Sequence, residues 1–99
     1  TPGFRAPEHQ FASEAGYSPK ACDIWSLGIC LYLFCFGKLP FMAESELELD
    51  IKCKNDPIPF PEDTHPLLRL LIEQMTEKDW KKRPTIEQVM VSPWYVHYD

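Results

Sequence analysis

The sequence predicts an all-α chain, and three observations predict it. The stretch CDIWSLGICLYLFCFG, residues 22–37, places apolar side chains on every face of a helix. Leu67, Leu70, Leu71 and Met75 recur at helical spacing, and no segment shows the two-residue alternation of a half-buried strand.

The first helix is bounded by its own punctuation. Ser18 and Pro19 match an N-cap and first helical position, and Gly37 matches the residue that closes a helix in the left-handed conformation. The helix therefore runs from about Pro19 to Phe36. A bilayer needs about 20 consecutive apolar residues, whereas the apolar run here extends from Ile24 to Phe36 and is interrupted by Ser26 and Gly28. It is read as a core helix enclosed on all sides. With 99 residues the chain supplies only some of the neighbours that such enclosure needs.

Ser45 and Glu48 have capping-box spacing, which places a second, mostly polar helix over Ser45 to about Lys54. Leu47, Leu49 and Ile51 do not form one stripe on it. Pro57, Pro59 and Pro61 stop it and force an extended loop. A third, amphipathic helix follows over residues 65–76, with Thr64 as its cap. Thr85 and Gln88 repeat the capping-box pattern and open a last helix, on which Ile86, Val89 and Met90 share a side and which ends before Pro93.

Composition narrows the function classes. A hydrophobic content of 44% is that of a globular chain. A net charge of −5 and a pI near 5.1 provide no basic field for nucleic acid. Cys22, Cys30, Cys35 and Cys53 form no CxxC pair, and His9, His65 and His97 flank no cysteine at metal-ligand spacing, so reduced thiols of a cytoplasmic protein are expected and no zinc site is. The chain opens on Thr1 and the irregular segment TPGFRAPE, and reads as a fragment.

TPGFRAPE, DIWSLG, GKLPF, KDWKKRPT and SPW follow one another in an order that resembles the C-terminal lobe of a eukaryotic protein kinase, from the end of the activation segment to the last helix. The resemblance covers essentially all of residues 1–99. Within that family LYLFCFGKLPFM, IKCKNDPIPFPED and EKDWKKRPTIEQVMVSPW look most like the calcium/calmodulin-dependent protein kinase kinases, serine/threonine kinases that act on other kinases. Trp80, where the family commonly has proline, and Ser92, where it commonly has histidine, depart from the pattern.

The resemblance implies a portion of the helical lobe of the two-lobed α+β kinase fold, and it implies roles for particular residues. Asp23, at the entrance of the hydrophobic helix that also carries Trp25, matches the acid that accepts hydrogen bonds from the catalytic-loop backbone; without the resemblance it reads as a first-turn acid that complements the helix dipole. Glu8 of APE matches the partner of Arg83 in an ion pair, for which a planar guanidinium is suited. Thr1 and Pro2 match the segment that orders the loop around the phosphoacceptor. Cys30 and Phe34 match the positions that support the apolar stack beneath the adenine pocket, and Leu33 stands where arginine-directed kinases often carry an acid.

The Gly-rich loop, the strand lysine, the catalytic loop and the DFG aspartate do not occur in these residues. ATP and Mg therefore belong to the complete kinase, and the segment alone is expected to be inert. Expected partners are protein substrates, including other kinases, and calmodulin through a segment absent from this chain, with neither nucleic acid nor membrane among them. The competing reading is a pseudokinase or truncated product that serves as an interaction scaffold.

Overall fold

A computed structural model describes residues 4–7 and 18–91 of the chain. The elements that lie wholly within the described residues are α1 Pro19–Phe36, α2 Glu46–Asn55, α3 Pro66–Met75, a 3₁₀ turn Trp80–Lys82, and α4 Ile86–Met90, with no strand among the described residues.

Helix α1 begins and ends at the expected residues. The Ser18 hydroxyl accepts from the Ala21 N–H, Pro19 takes the first turn, where its missing N–H costs nothing, and Gly37 at φ 75° returns its N–H to the Leu33 carbonyl at 2.8 Å. Ser45 caps α2 by accepting from the Glu48 N–H. Helix α4 has the complete reciprocal box, Thr85 Oγ1 accepting from Gln88 N and Gln88 Oε1 accepting from Thr85 N. At α3 the cap is His65 and not Thr64: His65 Nδ1 accepts from the Leu67 N–H, while the Thr64 hydroxyl turns back to the Pro61 carbonyl. Pro66 explains the shift, because its fixed φ sets the first helical residue one position after His65.

Trp25, Ile29, Tyr32, Ile72 and Met75 are the largest fully buried side chains; where α1 crosses α3, Ile24 packs with Leu71 and Met75, and Tyr32 with Leu68 and Ile72. Gly28 permits that crossing: a Cβ there would stand 2.9 Å from Met75 Cβ and 3.0 Å from Thr76 Cγ2. A second cluster gathers Ala6, Phe41, Leu49 and Cys53 around Trp25 and Ile29, and the buried Tyr32 hydroxyl reaches the Pro59 carbonyl, pinning the proline-rich loop to α1.

Two expectations need correction. The apolar face of α3 is Leu68, Leu71, Ile72 and Met75, while Leu70 is exposed and Leu67 only partly buried. The first four residues cover an arc of about 100° on the helix, which one neighbour can bury, and the wider set cannot be so covered. On α4 only Val89 is buried, because five residues give the helix little more than one turn to present; Ile86 and Met90 are about half exposed.

Helix α1 is enclosed only in part within this chain, in line with the few neighbours that 99 residues supply. Ile24, Trp25, Gly28, Ile29 and Tyr32 are buried, but Leu27, Cys30, Leu33, Phe34 and Cys35 are exposed. By length and composition α1 could cross a membrane. Its five buried residues are packed on α3 and on the segment around Phe41.

Candidate functional site

Arg83 joins distant parts of the described structure through one buried side chain. It is 8% exposed, and Pro84 follows it, holding the chain extended after the 3₁₀ turn. Its Nε donates to the Glu77 carbonyl at 2.7 Å and one terminal nitrogen donates to the Ala21 carbonyl at 3.0 Å. The guanidinium carbon stands 5.0 Å from the centre of the Trp25 ring. One side chain thus fastens the first turn of α1 to the loop that leaves α3. Arginine can do this because its donors diverge in a plane whose face also stacks on an indole.

Asp23, two residues beyond Ala21 on α1, is exposed and lines a cleft of about 650 Å³ shared with Lys20, Leu27, Trp80, Arg83 and Ile86. No described residue donates to its carboxylate. The helix starts at Pro19, so Asp23 lies beyond the first turn, which contains no acid. The macrodipole falls off within that turn, and this removes the helix-dipole account of the residue.

At 100° per residue, Asp23, Leu27, Cys30 and Phe34 fall on one face of α1, directly opposite Trp25, Ile29 and Tyr32. Phe34 is 89% exposed and Leu27 43%. The residues that the kinase resemblance selects on this helix, apart from Trp25, therefore lie together on the side that the chain leaves open. Thr1, Pro2 and Glu8 lie outside the described residues, so the Glu8 to Arg83 pair is not visible. The segment just before Glu8 is held, with Ala6 buried, Arg5 3.2 Å from Glu46, and Ser26 Oγ donating to the Phe4 carbonyl at 2.6 Å. Ser26, which interrupts the apolar run, thus has a partner within the chain.

The sequence order of APE, DIWSLG and KKRPT is matched by the protein kinase domain family over residues 1–95. The chain belongs to that family. It is 38% identical over 99 residues to the serine/threonine-protein kinase GRIK2 of Arabidopsis thaliana, with all of this chain and 24% of the relative covered. It is 42% identical over 97 residues to a calcium/calmodulin-dependent protein kinase kinase of Caenorhabditis elegans, and 37% identical over 94 residues to another, cmkC, of Emericella nidulans; each match covers 95% of this chain and 18% of the relative. The chain thus spans about a fifth to a quarter of the length of these curated relatives.

Within this kinase segment, sequence reasoning missed Lys78. It looks like one more charge in a run of solvated ones, yet its ammonium donates to the Cys53 carbonyl and stands 5.0 Å from the Phe41 ring centre and 5.8 Å from that of Trp25. Burial pushes it below its ordinary value of 10.5, against the opposing pull of Cys53, Asp56 and Glu77. Burial also raises the Cys53 thiol, which Lys78 in turn lowers. Gly28 did carry a signal, as an isolated glycine within a helical pattern. Lys78 carried none, because its partners are 25 to 53 residues away in the sequence.

Proposed function

We propose that the chain is the C-terminal helical portion of an ATP-dependent serine/threonine protein kinase that phosphorylates protein substrates, other kinases among them, in cytoplasmic signalling. The observation that carries the reading is the open face of α1. Its single acid and three apolar side chains are aligned opposite the packed face and offered to whatever completes the domain. A hydrophobic helix exposing Phe34 at 89% is incomplete as a self-contained core. The catalytic-loop and nucleotide-binding parts of a kinase are the missing neighbours, with backbone donors for Asp23 and apolar cover for Cys30 and Phe34.

The residues present do not fit ATP or Mg. The phosphate-contacting motifs do not occur in the sequence. Both cofactors belong to the complete kinase, and no step of phosphate transfer is assigned to this segment. Its contribution is to anchor the catalytic loop through Asp23 and, through Arg83, to fix α1 on the lobe. Regulation by calmodulin would be exerted through a segment outside this chain.

The test is Asp23→Ala and Asp23→Asn in the complete kinase. The alanine variant leaves backbone donors unpaired and lets the loop drift, and a displacement of about 1 Å at a catalytic centre costs on the order of 100-fold in rate. The asparagine variant keeps an acceptor but loses charge assistance, so its loss is smaller. Near-normal phosphate transfer by the alanine variant overturns the anchoring role.

A further inference from the structure

Helix α2 has an unusual hold on the molecule. Only Leu49 and Cys53 are buried from it, while Leu47 at 72% and Ile51 at 52% exposure face outward. Two buried side chains leave a ten-residue helix free to rock or fray about its apolar contact. Its N-terminal end is tied by the ion pair of Arg5 with Glu46, and Lys52 near its C-terminal end reaches back to the Met42 carbonyl at 2.7 Å. These ties involve exposed or half-exposed charges and are correspondingly weak.

The tie at Cys53 differs in kind. Carbonyls in the last turn of a helix lack intrahelical partners and form the negative end of its dipole. The Cys53 carbonyl receives the Lys78 ammonium, which arrives from the segment after α3, and the Phe41 and Trp25 rings lie close to that cation. A cation close to two aromatic rings and bonded to a helix-terminal carbonyl is held by its charge and not by its methylenes alone. Trp25 is at the same time within reach of the Arg83 guanidinium, so a single indole serves two cations, one fastening α1 and the other α2.

We propose that Lys78 is a lock on α2: its charge, close to Trp25 and Phe41 on the Cys53 carbonyl, fixes the C-terminal half of that helix, from which Ile51 is exposed. The role is conformational and separate from phosphate transfer, so it stands or falls independently of the kinase activity.

Hydrogen exchange read by mass spectrometry on the complete kinase tests it. Lys78→Met keeps the length and apolar stem and removes the charge. It is expected to accelerate exchange of the amides of residues 49–55 by about 10-fold or more, with α1 and α3 unchanged within about 2-fold. Lys78→Arg keeps a cation by the two rings and should stay within about 3-fold of the parent. Phe41→Leu removes one ring and leaves the lysine, and should give an intermediate acceleration again confined to α2, which keeps the test available should the methionine variant fold poorly. Unchanged exchange in α2 for the methionine or leucine variant, or acceleration of equal size in α1 and α3, overturns the lock.

Discussion

Removing Arg83 is the most informative single perturbation of this fold. Arg83→Met preserves most of the volume and the apolar stem while deleting every donor. Two backbone carbonyls, Glu77 at 2.7 Å and Ala21 at 3.0 Å, then lose a charged donor, and hydrogen bonds to charged groups contribute about 1.5–3 kcal/mol each. The stacking on Trp25 at 5.0 Å contributes about 0.5–2 kcal/mol, toward the upper end here because the group is desolvated. The three contacts share one side chain and do not add, so a loss of about 3–5 kcal/mol is expected. For a domain of 150–250 residues that corresponds to a fall in Tm of about 6–20 °C. Arg83→Lys is the control: one ammonium cannot reach both carbonyls in the same plane, and about half the loss is expected. The assay is thermal unfolding of the complete kinase, with phosphate transfer measured below the transition. A methionine variant that melts within about 1 °C of the parent would show that Arg83 is a spectator and that other contacts hold α1 to the loop after α3.

Other outcomes follow from the same packing. Gly28→Ala should destabilise the domain by about 1–3 kcal/mol in chemical denaturation, because its Cβ meets Met75 Cβ at 2.9 Å, a short and inflexible atom; a gain of about 1 kcal/mol, the intrinsic preference of a helix for alanine, would mean that α1 and α3 separate freely. Tyr32→Phe should cost about 1 kcal/mol and loosen the loop at Pro59, whose carbonyl loses its donor; unaltered proteolysis of that loop refutes the tether. The pH dependence between about 9 and 10.5 should show two opposed slopes. Cys53 and Cys35, raised above 9.0, and Tyr32, raised above 10.0, all by burial, contribute stability that is lost as pH rises past those values. Lys78, lowered from 10.5 by burial of its charge, makes stability rise with pH up to 10.5, so the contacts that order α2 are made at a net cost of burying the ammonium. Asp50 also raises the thiol, and Asp56 and Glu77 moderate the lysine, so they set the size of both arms. In Lys78→Met only the falling arm remains, and stability measured from pH 8.5 to 10 should drop more steeply than in the parent; an identical profile refutes the coupling.

The sequence alone determined whatever is local. Ser18, Pro19 and Gly37 fixed α1 to the residue, since capping and left-handed closure are settled within one helical turn. The Thr85 and Gln88 box did the same for the start of α4, and the prolines at 57, 59 and 61 marked the end of α2. The order of APE, DIWSLG and KKRPT was sufficient to place the chain among the protein kinases. Tertiary structure decided which faces those helices use. A helix that is apolar all round has no preferred side until neighbours arrive. The packing of α3 near Gly28 and Tyr32, together with that of Phe41, Leu49 and Cys53 on Trp25 and Ile29, made those side chains the inside and left Asp23, Leu27, Cys30 and Phe34 the outside. Leu68 and Ile72 displaced Leu67 and Leu70 for the same reason, because burial rewards the arc that one neighbour can cover. The KKRPT match singled out Arg83 while Lys78 read as one more charge; the contacts that make them a fastener and a lock came only where distant carbonyls and one indole converged on them.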